Sequence, residues 1–156
     1  MATREDRTEE DRRETEIRHM NELLQELRVI LPGVQVTFAF LLTVAFMEPF
    51  SEASWFQRSV YFTALVSTGV ATAFFIAPTV QHRILWRQGE RPLRLKIGNG
   101  LLIAGTIFLA VAMNCVIFLV ADVVYGRVSA IIATAVMVAV FVGVWYLLPL
   151  YRRVQG

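Results

Sequence analysis

Four long apolar segments, at about residues 31–47, 60–80, 97–121 and 128–150, alternate with short polar stretches along this chain. A hydrocarbon core about 30 Å thick requires roughly 20 predominantly apolar residues in a helix, and each segment meets or nearly meets that length. The third and fourth are unbroken, with no charged residue over 97–121 or over 128–151. The second carries no charge from Ser59 to Val80, and its polar residues are hydroxyls that can bond their own helix backbone. The first opens at Pro32, where a first helical turn loses nothing by lacking an N–H, and ends at Met47-Glu48-Pro49. Soluble helices of this length show an amphipathic face, and these do not. The pattern predicts an all-α integral membrane protein with four transmembrane helices arranged as two hairpins.

Ahead of the first segment the pattern changes twice. Residues 3–16, TREDRTEEDRRETE, alternate acid and base too densely to bury a core. From Ile17 the apolar positions Ile17, Met20, Leu24, Leu27 and Leu31 recur at spacings of 3, 4, 3 and 4, which draws one seam along a helix. The pairs Glu9 with Arg13 and Glu14 with Arg18 support that helix at the i,i+4 spacing. Pro32-Gly33 is expected to interrupt it. The chain therefore divides into a charged cytoplasmic segment over 1–30 with an amphipathic helix from about residue 15, a four-helix transmembrane domain over 31–150, and a short cytoplasmic tail over 151–156.

Composition confirms the class and charge gives it an orientation. The 156 residues are 56% hydrophobic and 18% charged, with a mean hydropathy of +0.54, which is too apolar for an ordinary soluble domain of this size. Of the basic residues, six precede the first span, five lie in the connector Pro78–Lys96 and two close the chain, whereas only Arg58 and Arg127 fall in the other loops. Lys and Arg accumulate on the cytoplasmic side of short loops, so both termini and the connector are expected in the cytoplasm. The net charge of +2, spread without a basic face, gives no reason to expect nucleic acid as a partner.

Few residues offer chemistry. The spans hold no GxSxG, Walker A or HExxH motif, and the only cysteine, Cys115, has nothing to pair with. Two histidines, His19 and His82, without clustered carboxylates or thiols make no metal site. No catalytic residue, cofactor or metal is expected. Polar side chains that lipid tolerates poorly are the remaining candidates: Gln35 near the start of span one, Asn99 at the start of span three, Asn114 near its middle and Asp122 at its far end. Asp122 and Arg127 are expected to pair across the tip of the second hairpin. His82, Arg83, Trp86 and Arg87, just past Pro78, are placed to meet lipid headgroups or a partner.

Small residues recur every fourth position at Gly69, Ala73 and Ala77 in span two and at Ala135, Ala139 and Gly143 in span four. Such stripes let helices approach closely in lipid, and spans two and four are expected to pack together along them.

The chain resembles a family of small four-span bacterial membrane proteins of unknown function, found mainly in high-GC Gram-positive bacteria. The likeness runs from about Glu22 to Gly126 and rests on NELLQELRVILPGVQVTFAFLLTVAF, Phe50, Tyr61, the IAPTVQHRILWRQGE segment, Asn99 and Asp122, with span four alike only in hydrophobicity. The resemblance implies four helical spans with cytoplasmic ends and no particular activity. Residues and resemblance together lead to a non-enzymatic accessory or structural membrane protein, surrounded by lipid, that forms a homo-oligomer or joins a larger membrane complex. The alternative is a small oligomeric proton or cation channel or transporter lined by Gln35, Asn99, Asn114 and Asp122.

Overall fold

A computed structural model describes residues 4–84, 91–148 and 150–151, and these residues hold helices and connecting turns but no strand. The helices are α1 (Arg4–Val44), the single turn α2 (Glu48–Ser51), α3 (Trp55–Ile84), α4 (Arg91–Tyr125) and α5 (Arg127–Phe141), which continues as a π-helical stretch over Val142–Leu147. Four stretches are long and apolar enough to cross a membrane: Leu24–Val44, Trp55–Gln81, Ile97–Tyr125 and Arg127–Leu147.

The interruption expected at Pro32-Gly33 does not occur. Helix α1 runs through Pro32 without a break for 41 residues, or about 60 Å at the α-helical rise. Packing explains why: Leu27, Val34 and Leu41, seven residues apart, are all buried on one face, on both sides of the proline. Pro32 itself is exposed, so its ring meets no neighbouring helix. The seam that begins in the charged head is thus continuous with the seam that docks the first span.

On α3 the buried positions Tyr61, Ala64, Thr68, Ala71 and Phe75 fall at spacings of 3, 4, 3 and 4, and α4 answers with buried Gly98, Gly105, Leu109 and Ala112. Among the described residues this is the most extensive helix pair. It is antiparallel: Pro78 lies against Gly98 near one end, while Tyr61 clusters with Cys115, Val116 and Leu119 toward the other. A Cβ built on Gly105 would lie 2.7, 2.9 and 3.2 Å from three atoms of the Phe75 ring, so the glycine is a notch for a fully buried aromatic knob. Leu27 and Val34 of α1 and Leu109 of α4 complete that core.

The packing expected between spans two and four is not made. Helix α5 packs on α4, and α3 and α5 form no substantial contact. The inward face of α3 is already occupied by α4 and α1, which leaves no room for the fourth span. Ala73, Ala135 and Ala139 are exposed, Ala77 is half-buried, and a Cβ on Gly143 would meet nothing within 4 Å. Gly69 faces the Phe38 ring of α1, at 4.0 Å from a built Cβ. The architecture is a three-helix core of α1, α3 and α4 with α5 on its flank, and only 6% of the apolar window of α5 is buried.

Candidate functional site

Among the described residues, the end of the bundle that carries the two short turns, here termed the tip end, holds the densest polar constellation. It starts from a capping box. The Gln57 N–H donates to Ser54 Oγ at 3.2 Å, and the Ser54 N–H donates to Gln57 Oε1 at 3.0 Å, which fixes the first turn of α3. The other end of the Gln57 amide, Nε2, is then free to reach across to α4 and donates to Asp122 Oδ2 at 2.8 Å. From the start of α5, Arg127 Nε donates to Asp122 Oδ1 at 2.8 Å. The pair expected between Asp122 and Arg127 is therefore present, and it is one half of a bridge that joins three helices. The Asp122 side chain is 6% exposed and that of Arg127 is 51% exposed.

Two aromatic rings lie together on one side of the guanidinium. Arg127 lies 4.4 Å from the Phe56 ring centroid and 5.7 Å from that of Phe118, and the two rings meet edge-on at 5.7 Å, an arrangement that attracts a cation to the ring face. Gly126 makes the geometry possible. It is the single residue between α4 and α5 and adopts φ 84°, a left-handed conformation that favours glycine. Its N–H donates to the Asp122 carbonyl at 3.1 Å, and its own carbonyl accepts from the Ala130 N–H at 3.1 Å. A longer turn would carry Arg127 away from Asp122.

The first hairpin is closed differently. Arg58 folds back onto the turn, donating from Nε to the Ala53 carbonyl at 3.0 Å and from Nη2 to the Ser51 carbonyl at 2.7 Å. The Tyr61 hydroxyl, buried against Phe50, donates to the Leu41 carbonyl at 2.7 Å, meeting an acceptor in the last turn of α1. Phe46, Met47, Glu48, Phe50, Ser51 and Arg58 line an open groove between these contacts.

Along the spans, hydroxyls satisfy themselves on their own helices: Thr37, Thr43, Ser59, Thr63, Thr68 and Thr72 each donate to the carbonyl four residues earlier. Two buried polar atoms depart from this pattern. Asn114 Nδ2 donates to the Ala110 carbonyl at 2.8 Å, but Asn114 Oδ1 and Thr134 Oγ1 have no partner among the described residues. Nearer the other end, the Tyr146 hydroxyl meets Thr106 Oγ1 at 3.2 Å and ties the π-helical stretch to α4.

Of the four residues proposed to line a polar route, Asn114 and Asp122 are partly enclosed, while Gln35 and Asn99 are exposed on α1 and α4; the chain does not gather the four together. His82 and Arg83 lie in the last turns of α3, their side chains outside the described set, and Trp86 and Arg87 fall outside the described residues altogether. Sequence reasoning missed Gln57 and Phe56. The signal was available, since Ser54-Trp55-Phe56-Gln57 has the S-x-x-Q form of a capping box before an apolar run.

Four membrane-length helices, tied at one end by a polar bridge, define a multi-pass helical membrane protein. The chain belongs to the family of unknown function DUF6328, whose family model matches residues 9–149. That match takes in the fourth span and most of the charged head, beyond the limits suggested by the resemblance in sequence alone. No curated protein and no solved structure gives a significant match.

Proposed function

We propose that this chain is a non-enzymatic accessory or structural protein of the bacterial plasma membrane that associates, through its fourth span, with a second copy of itself or with a larger membrane protein. One observation carries this reading: the small residues Ala135, Ala139 and Gly143 recur at every fourth position on the least buried span, where Ala135 and Ala139 are exposed and a Cβ on Gly143 would meet nothing within 4 Å among the described residues. In lipid, helix association rests on close van der Waals packing, and such stripes allow it. Thirteen of the fifteen basic residues support placing both termini and the connector in the cytoplasm. The exposed rings of Trp55 and Tyr125 at the tip end fit headgroup depth on the opposite side. A polar conduit has less support, because Gln57 and Arg127 already engage both carboxylate oxygens of Asp122.

Cysteine cross-linking in native membranes tests the reading, in a Cys115→Ala background. Ala135→Cys and Ala139→Cys are expected to give covalent dimers, or adducts to one other membrane protein, while Met137→Cys is not, and Ala139→Leu is expected to abolish the association. A chain that stays uncross-linked at every position, and runs as a monomer in mild detergent with no co-purifying membrane protein, would contradict it.

A further inference from the structure

We infer that Arg127 at the tip end holds the phosphate of a phospholipid headgroup. The guanidinium is positioned before any ligand arrives: Asp122 accepts from Nε at 2.8 Å, and the Phe56 and Phe118 rings lie together on one side of the group, with centroids at 4.4 and 5.7 Å. That leaves the two Nη groups, the fork that recognises a phosphate bidentately, without an acceptor among the described residues, on a side chain that is 51% exposed. Asp122 does not compete for them. Both of its oxygens are engaged, one by Gln57 and one by Arg127, and its side chain is 6% exposed, so the bridge presents its positive edge outward. Arg58, the other cation at this end, spends Nε and Nη2 on backbone carbonyls and offers no comparable fork.

Depth selects the ligand. Trp55 and Tyr125, the residues that begin α3 and end α4, are 82% and 76% exposed. Exposed Trp and Tyr at span ends lie at headgroup level, where the anionic group at highest local concentration is a lipid phosphodiester. The bridge thus has two roles: it joins three spans and it aims a cation at the lipid surface. This inference rests on membrane placement, though not on self-association.

The test uses the full chain with 15N-labelled arginine, reconstituted into phosphatidylglycerol vesicles, and solid-state NMR dephasing of guanidinium 15N signals by lipid 31P. The Arg127 signal, assigned by its loss in Arg127→Lys, is expected to be dephased. In Asp122→Asn, which retains the arginine but loosens its orientation, the dephasing is expected to fall while the signal persists. Retention of phosphatidylglycerol through delipidation, followed by native mass spectrometry, is expected to drop about tenfold in Arg127→Gln, the worth of one charge-assisted contact. An Arg127 signal untouched by 31P, or equal lipid retention in wild type and Arg127→Gln, would overturn the inference. So would inorganic phosphate binding Arg127 equally well in detergent, since that would make the source a free anion. Failure of the chain to enter vesicles would instead overturn the membrane placement, and this inference with it.

Discussion

Gly105 is the residue on which the core turns. Its missing side chain admits Phe75, which has no exposed surface and is held on its other sides by Leu27, Val34, Ala71 and Leu109. A methyl group at 2.7 Å from that ring must displace backbone or an enclosed aromatic, and overpacking of this kind costs about 1–3 kcal/mol. Gly105→Ala should therefore lower the thermal unfolding temperature in detergent, Gly105→Val should lower it further, and Phe75→Leu should restore part of the loss in the Gly105→Ala background. No change in Gly105→Val would show that the helices stand farther apart than described. The sequence drew attention to Gly69 and Gly143 and passed over Gly105, for a physical reason. A small-residue stripe is visible on one helix at a time, whereas a knob and its notch are a relation between two helices. Asp122 was visible because intramembrane carboxylates are costly, and Arg127 because it lies five residues away. Gln57, 65 residues from Asp122, was not, since nothing local indicates which way a long amide will reach.

Among the elements, α1 changes the picture most. A proline inside a helix removes the hydrogen bond to the carbonyl four residues earlier, here that of Arg28, and costs about 3 kcal/mol in an ordinary helix interior. Helix α1 bears this cost because Leu27, Val34 and Leu41 hold it to the bundle on both sides of Pro32. Pro32→Ala should leave the fold intact and raise the unfolding temperature and, slightly, the helicity by circular dichroism. A lower unfolding temperature would mean that a bend at Pro32 is part of the packed structure. The same seam was legible from Ile17 to Leu31 and continues at the same spacing through Val34, Phe38 and Leu41, but Pro-Gly outweighed it as a stop signal. Tertiary packing overrode the local preference, as it often does. Helices α3, α4 and α5 were predictable from apolar length alone, and α5 ends in a π-helical stretch that no apolar pattern announces.

For the whole molecule, hairpin order was predictable and lateral packing was not. Four apolar lengths and short turns force an up-down path, and the path follows. Which helices touch depends on where small and large residues interlock: α4 fits α3 through Gly98, Gly105 and Ala112, α1 packs on α3, and α5 is left on the side of α4. The proposed association through span four would use that flank, where Ala135 and Ala139 are exposed. The reading rests on a threading in which both termini and the connector share one side of the membrane and the tips face the other. The most direct test is labelling of single cysteines by a membrane-impermeant maleimide in intact cells, in a Cys115→Ala background. Glu52→Cys and Tyr125→Cys at the tips should label at once, whereas Thr3→Cys, Gln88→Cys and Gln155→Cys should label only after permeabilisation. Labelling of Thr3→Cys or Gln88→Cys in intact cells, or protection of both tips, would contradict the account.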